Sequence, residues 1–148
     1  MKTFTFVSVA AILAAFSVSA SAGQFEVWSD GAKGANRTVI VSFAGDGHTQ
    51  DAQADIAFDP GLEFVTANAK VAGSVCAELK GKNMVRVVPP SGAGSALSSK
   101  QIDYCAFSFR SRGGKAVAGT GLTVSFTECA GVSGSSNCES NAIDVSEK

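Results

Sequence analysis

The stretch ADIAFDPGLEF, residues 54–64, decides the fold of this chain. Its first five residues alternate, so that Ala, Ile and Phe fall on one side of an extended strand and Asp and Ala fall on the other. Asp-Pro-Gly then supplies a turn, because proline fixes its own φ and glycine accepts conformations that other residues avoid. Apolar residues return at Leu62 and Phe64, so the stretch predicts two strands joined by a tight turn.

The same alternation continues in both directions, and glycine-rich turns separate the alternating segments. Further strands are predicted at Phe25–Trp28, Thr38–Phe43, Gln101–Phe109, Gly121–Thr127 and Ala142–Ser146, with a hairpin over Val71–Val88 around the turn Lys80–Asn83. Helical periodicity is nearly absent. Eight or nine short strands at this spacing predict an all-β fold, namely a two-sheet antiparallel β-sandwich with one side of each sheet in solvent.

Alternation also predicts which side chains face the interior of the sandwich. The residues expected to face the core are Val75, Ala77, Leu79, Val85 and Val87 in the hairpin and Leu122, Val124 and Phe126 after Gly121. Tyr104 is opposite in parity to Phe107 and Phe109 and is therefore expected on the surface. The Gly/Ser-rich segment Ala130–Asn137 is expected to be a loop.

Residues 1–22 have the pattern of a secretory signal peptide. Lys2 supplies a positive start, Phe4–Val18 supplies a short apolar region, and Ala20-Ser21-Ala22 supplies the small residues of a cleavage site. The apolar run is short for a membrane span, which needs about 20 residues. We therefore expect a signal peptide at 1–22, one domain at 23–148, and a secreted protein that is extracellular or periplasmic.

Charge and size limit the possible partners. Without residues 1–22 the chain keeps 11 basic and 13 acidic residues, a net charge of −2, spread along its length. Nucleic-acid binding depends largely on lysine and arginine neutralising phosphates, so no nucleic-acid partner is expected. Membrane insertion is not expected either, because no second apolar stretch approaches membrane length. A protein of this size suits a single domain, and we expect a monomer.

The four cysteines predict two disulfides, because their number is even and the expected compartment is oxidising. They are Cys76, Cys105, Cys129 and Cys138, with gaps of 29, 24 and 9 residues. Zinc is the competing use, but structural zinc sites favour closely spaced cysteine pairs. Of three possible pairings we favour Cys76 with Cys105 and Cys129 with Cys138. Parity leaves a conflict, because Cys105 falls on the core side whereas Cys76 points outward, so a bulge near either cysteine or another pairing is required.

Catalysis finds no support in the residues. His48 is the only histidine, it lies in a predicted loop, and no G-x-S-x-G nucleophile motif is present. The carboxylates near it are expected on solvated surface, with calcium as the alternative because oxygen ligands on loops suit that ion. Asp46 and Asp51 are the candidate calcium ligands. The spacing of an EF-hand is missing, and no other cofactor is expected.

Three residues are candidates for binding a ligand. Tyr104 is the aromatic residue expected on the surface, where its ring could contact a sugar or a protein. Arg86 and Arg110 belong to a group of basic residues in the second half of the chain. An ordinary charged surface and a patch for an anion or acidic glycan are both consistent with that group.

The order of features resembles a cohesin domain, within the wider group of carbohydrate-binding β-sandwiches. The resemblance rests on Val39–Phe43, Ala54–Phe64, Cys105–Phe109 and Leu122–Phe126, and the pattern hydrophobic-x-Phe-Asp-Pro-x-Leu-x-Phe is its most telling part. It covers most of residues 25–146. The resemblance implies a nine-stranded sandwich of the jelly-roll type that binds a dockerin module through one sheet face.

The sequence favours a noncatalytic binding module that recognises a secreted protein or a polysaccharide through a sheet face or the loops at one end. A structural or self-associating extracellular protein, stabilised by disulfides and paired through exposed strand edges, is the second hypothesis. A small secreted hydrolase is the third.

Overall fold

The computed structural model describes residues 23–33, 36–91, 95–114, 117, 119, 121–131, 134–136 and 138–142, and the expected signal peptide lies outside them. The described strands are β1 Gly23–Lys33, β2 Asn36–Ala44, β3 Thr49–Phe58, β4 Leu62–Ala69, β5 Val75–Leu79, β6 Met84–Val88, β7 Ile102–Ser111, β8 Leu122–Gly131, β9 Gly134–Ser136 and β10 Cys138–Ala142. A short 3-10 turn, Arg112–Gly114, follows β7. Within these ranges no helix is long and apolar enough to cross a membrane.

The strands form two five-stranded sheets. The first sheet has the order β10-β1-β2-β7-β4, and the second sheet has the order β5-β6-β3-β8-β9. Neighbouring strands are antiparallel except β1 and β10, which run parallel. The predicted all-β sandwich of two antiparallel sheets is therefore confirmed, with one parallel pair that alternation could not reveal.

The core lies between the sheets and consists of aromatic and branched side chains. Those with less than 2% exposure include Phe25, Phe43, Phe107, Phe109, Ile56, Leu62, Val27, Val39, Val41, Val85 and Val87. Neighbouring rings pack in tilted pairs, with centroids 4.6 Å apart for Phe25 and Phe43 and 5.1 Å apart for Phe58 and Phe109. Such offset contacts add to the stabilisation from apolar burial alone.

Both predicted disulfides are present. Cys76 of β5 is bonded to Cys105 of β7, and Cys129 of β8 is bonded to Cys138 of β10, with Cα–Cα distances of 5.7 and 5.6 Å. Each bond joins a strand of one sheet to a strand of the other. The two halves of the sandwich are therefore linked covalently at two places, in addition to their apolar contact.

The turn in the deciding stretch forms as predicted. The Asp59 carboxylate accepts a hydrogen bond of 2.7 Å from the backbone N–H of Gly61, and its carbonyl accepts one of 2.8 Å from Leu62. Asp59 also donates its backbone N–H to the carbonyl of Gly121, just before β8. Gly121 has a φ of +70°, and a Cβ there would lie 2.7 Å from Leu62 Cδ1. Only glycine fits this position without displacing the core.

The prediction that Val75, Ala77 and Leu79 of β5 face the core is wrong, because the strand turns its other side to the interior. The hairpin and its turn at Lys80–Asn83 are present, but β5 pairs so that Cys76 lies opposite Val87, which is buried. Cys76 therefore points inward, and Val75 lies on the outer side with 47% of its surface exposed. Formation of a bond to the buried Cys105 requires this facing, which also resolves the conflict between the two cysteines.

The expected facing of Phe126 is also wrong, and a β-bulge is the cause. Asp55 of β3 lies opposite Phe126, whereas the next residue of β3, Ile56, lies opposite Val124. Ser125 is therefore an extra residue in β8, and the residues beyond it change sides. Phe126 lies on the outer side of the second sheet with 48% exposure, while Leu122 remains buried as predicted.

The C-terminal region differs from prediction in one further respect. The expected loop Ala130–Asn137 includes the end of β8 and the short strand β9, which pairs with β8 from Cys129 to Gly131. The last described strand is β10, and of the expected strand Ala142–Ser146 only Ala142 lies within the described residues.

Two phenylalanines test this assignment of inner and outer sides. We expect Phe107→Ala to lower the free energy of unfolding by about 3–5 kcal/mol, because the ring is fully buried and its loss leaves a cavity. Phe126→Ala should cost less than about 1 kcal/mol, because about half of that side chain is already in solvent. Urea denaturation of both variants measures the difference. Equal losses would contradict the bulge in β8.

Candidate functional site

The outer face of the second sheet carries an ion pair next to exposed apolar side chains, and we take it as the candidate site. We use the term outer face for the solvent side of β5, β6, β3 and β8. The ladder aligns its residues in rows across the strands, and the central row is Ala77, Arg86, Asp55 and Phe126. This row exists because the bulge in β8 places Phe126 directly opposite Asp55.

An ion pair lies at the centre of the outer face. Arg86 donates from Nε to Asp55 Oδ1 at 2.7 Å and from Nη2 to Asp55 Oδ2 at 2.9 Å. This two-point contact fixes the plane of the guanidinium as well as its position. The Asp55 side chain is 12% exposed and that of Arg86 is 38% exposed. Arg86 is thus held by the carboxylate and still reaches the surface.

The hydrogen bonds that Arg86 donates to Asp55 raise the pKa of Arg86, against a smaller opposing effect of burial. Arginine is already charged at every physiological pH, so the raised pKa does not create a switch. It shows that the guanidinium charge is stabilised by its neighbour. A bound partner would therefore meet a fixed pair of charges and not a mobile side chain.

Apolar side chains flank the ion pair on both sides. Val75 of β5 and Phe126 of β8 are about half exposed, and they are two of the three large exposed apolar residues in the described part of the chain. Met84 and Leu79, on the row next to the ion pair, are half-buried. Exposed apolar side chains together with arginine are enriched on surfaces that bind other proteins.

A shallow groove of about 180 Å³ lies at one end of the outer face. Its lining residues are Asp51, Ala52, Gln53, Val88, Glu128 and Ala130. The groove extends over β6, β3 and β8, because Val88 lies in β6 and, in the ladder, Gln53 faces Glu128 and Asp51 faces Ala130. Its two carboxylates make this end of the outer face acidic.

The expectation that Tyr104 is a surface aromatic is wrong. Tyr104 is 3% exposed and belongs to the core cluster. The cause is a bulge in β7, where Val41 lies opposite Cys105 and Ser42 lies opposite Asp103, so that Tyr104 is the extra residue. Burial raises the pKa of its hydroxyl. The ring is not available to a ligand at the surface.

The two candidate arginines lie on different sides of the sandwich. Arg86 is on the outer face described above, whereas Arg110 is on the solvent side of the first sheet. Arg110 forms an exposed ion pair of 3.2 Å with Glu63, which lies opposite it in the ladder. The basic residues of the second half therefore do not form one patch around these two positions.

The candidate calcium ligands do not share a site in the described residues. Asp46 Oδ1 accepts three hydrogen bonds of 2.8 Å, from the backbone N–H of His48 and from the backbone N–H and hydroxyl of Thr49. Asp51 is exposed and lines the groove. No group of three or more His, Cys, Asp or Glu side chains among the described residues could hold a metal ion. Calcium binding by these two residues stays a prediction, and His48 is an exposed turn residue as expected.

The turn around Asp46 provides a test based on pH. Partial burial opposes its ionisation, but the hydrogen bonds from His48 and Thr49 outweigh that effect and lower its pKa below the usual 3.8. Because the folded pKa is lower than the unfolded one, Asp46 stabilises the fold above pH 3.8. That contribution is lost as the pH falls through the folded value.

We expect Asp46→Ala to cost about 1–2 kcal/mol at pH 7, since it removes hydrogen bonds to a charged group. The difference from the wild type should shrink below pH 4, as measured by chemical denaturation at several pH values. Asp46→Asn is the control, because it keeps an acceptor oxygen without a titrating charge. A difference that stays constant down to pH 2 would contradict the account of this turn.

The chain resembles known proteins in its fold and not in its sequence. No protein-family model matches the sequence, and no curated protein matches it. Solved structures do match the fold. The sixth cohesin of scaffoldin B from Acetivibrio cellulolyticus, determined in complex with a Cel5 dockerin, has a TM-score of 0.63 at 9% identity over 84% of this chain and 96% of that one.

Two other structures extend this similarity. The third cohesin of ScaC from Acetivibrio cellulolyticus, in complex with the ScaB dockerin, has a TM-score of 0.63 at 13% identity and covers 80% of this chain and 94% of that one. A non-cellulosomal cohesin from the archaeon Archaeoglobus fulgidus has a TM-score of 0.53 at 14% identity, covering 79% and 86%. The chain is a β-sandwich module of the jelly-roll type. More narrowly, it has the fold of a cohesin domain, as the sequence resemblance implied.

Phe126 and the Asp55–Arg86 pair are the features of the outer face that the sequence did not reveal. Asp55 was expected on a solvated side of β3, and it does lie on the outer face, but its ion pair leaves it only 8% exposed. One signal for Phe126 was present. Leu122 and the disulfide cysteine Cys129 are seven residues apart, so an unbroken alternation would place them on opposite sides of β8, whereas both are buried in the structure.

Proposed function

We propose that this protein is a noncatalytic binding module that holds a partner protein against the outer face of its second sheet. The single observation that carries the proposal is the central row of that face, in which a fixed ion pair lies beside the exposed ring of Phe126. Aromatic and arginine side chains are enriched in protein interfaces, where a few central residues supply most of the affinity. Both are present here in the same row of one sheet.

The structural neighbours support a protein partner over a polysaccharide. Cohesins of the same fold have been determined bound to dockerins, so the fold is able to carry a protein-binding surface. A polysaccharide partner would be better served by coplanar exposed rings. Tyr104, the ring expected to serve that purpose, is buried. We therefore infer a partner that bears a dockerin-type module, and we infer no chemical reaction.

We also propose that the protein acts outside the cytoplasm. Its two disulfides require an oxidising compartment, and residues 1–22 have the pattern of a secretory signal. The domain that binds the partner would then be residues 23–148. A partner of such a module should itself be exported, which narrows the search to secreted proteins.

Phe126→Ala tests the proposed surface. We expect it to weaken binding at least about tenfold, because truncation of a central aromatic in an interface costs more than 1 kcal/mol. Val65→Ala is the matched control, since Val65 is 51% exposed and Phe126 is 48% exposed, but Val65 lies on β4 of the other sheet. That variant should bind within about twofold of the wild type, as typical surface changes do.

The assay measures binding of the purified protein to a panel of purified dockerin modules by biolayer interferometry. A pulldown of secreted proteins with the same three forms extends the search. A partner that is retained equally by Phe126→Ala and by the wild type would place the interface elsewhere. Binding to polysaccharide with no protein bound would replace the proposal with the carbohydrate alternative.

A further inference from the structure

Strand β5 is the least anchored part of the outer face. It is an edge strand that is hydrogen-bonded to β6 alone within the described sheet. None of its five residues is fully buried, and Val75 is 47% exposed. The turn that joins it to β6 is exposed over Lys80–Asn83. Strands with few buried contacts and an unpaired edge are the ones that open most readily.

The Cys76–Cys105 disulfide is the covalent link between β5 and the first sheet. Among residues 70–79, Val71 and Cys76 are the apolar side chains that pack against the core. Cys105 is fully buried in β7, between β2 and β4 of the first sheet. The disulfide therefore attaches the edge of the outer face to an interior strand of the opposite sheet. Without it, β5 would keep its ladder to β6 and its packing against β4 and β7, but no covalent bond to the first sheet.

The second disulfide provides an internal comparison. Cys129 belongs to β8, which pairs with β3 along nearly its whole length and with β9 on its other side. Leu122 and Cys129 of β8 are buried. Strand β8 thus has many contacts besides the Cys129–Cys138 disulfide. Loss of that bond should leave the position of β8 in the outer face unchanged.

We propose that the Cys76–Cys105 disulfide completes the outer face, and that its reduction releases β5 while the rest of the sandwich stays folded. On oxidation the two thiols transfer two protons and two electrons to a disulfide oxidant, which becomes a dithiol as the Cys76–Cys105 bond forms. In the reverse step a dithiol reductant is oxidised to a disulfide and the two cysteines return to thiols. The effect on partner binding that follows from this inference rests on the proposed function. The module acquires its complete partner-binding surface only after oxidation, and so only outside a reducing compartment.

Hydrogen exchange measured by mass spectrometry tests this without any partner. The variants are Cys76→Ser/Cys105→Ser and, as the control, Cys129→Ser/Cys138→Ser. In the first variant the amides of β5 should exchange at least about tenfold faster than in the wild type. Amides of β3 and β8 should remain within about twofold. In the control variant the exchange of β5 should not change.

Because Cys105 is fully buried, a second version, Cys76→Ala/Cys105→Val, fills the site with apolar atoms and guards against loss of folding. Unchanged exchange of β5 in both versions would overturn the proposal. Equal acceleration in every strand would also overturn it, since the bond would then hold the whole fold. Release of β5 in the Cys129→Ser/Cys138→Ser control would overturn it as well, because the effect would then not be specific to the Cys76–Cys105 disulfide. None of these results depends on a partner, so a failed binding assay leaves them interpretable.

Discussion

Burial of aromatic and branched side chains between the two sheets is the interaction on which the other features depend. Phe107 and Phe109 of β7 and Val85 and Val87 of β6 face one another across the interior. Because every second residue of these strands is committed to the core, the residues between them are left for solvent. The outer face of the second sheet is thus a product of core packing. Asp55 is presented there because Ala54 and Ile56 are buried on the other side.

Two bulges change this simple relation at the places that matter most. The extra residue in β8 transfers Phe126 to the surface, and the extra residue in β7 moves Tyr104 into the interior. Each bulge moves one aromatic ring to the other side of its sheet, while the strands on both sides of the bulge stay paired. A polar row of the second sheet thereby gains an exposed ring next to its ion pair. The first sheet gains a ring in its core.

The sequence was sufficient for those features that depend on local pattern. Alternation identified most of the strands, and the Asp59–Gly61 turn followed from its residue types. The even number of cysteines and the expected compartment indicated two disulfides. Features that depend on the pairing partner could not be obtained in this way. The position of a bulge is set by which residues of a distant strand are opposite, and one extra residue reverses all that follow. The side of β5 that faces the core could not be predicted for the same reason. It is determined by the bond from Cys76 to Cys105, which lies in a distant strand.

The parallel pairing of β1 with β10 has a consequence for how such a domain could be joined to other modules. Gly23 lies beside Cys138, and Val27 lies beside Ala142, so the chain enters the sandwich at one end of this edge and β10 runs toward the other. The first residue of β1 and the last residue of β10 therefore lie at opposite ends of the first sheet. The domain could therefore be linked end to end with other modules in a longer chain, and the outer face of its second sheet would stay accessible to a partner protein.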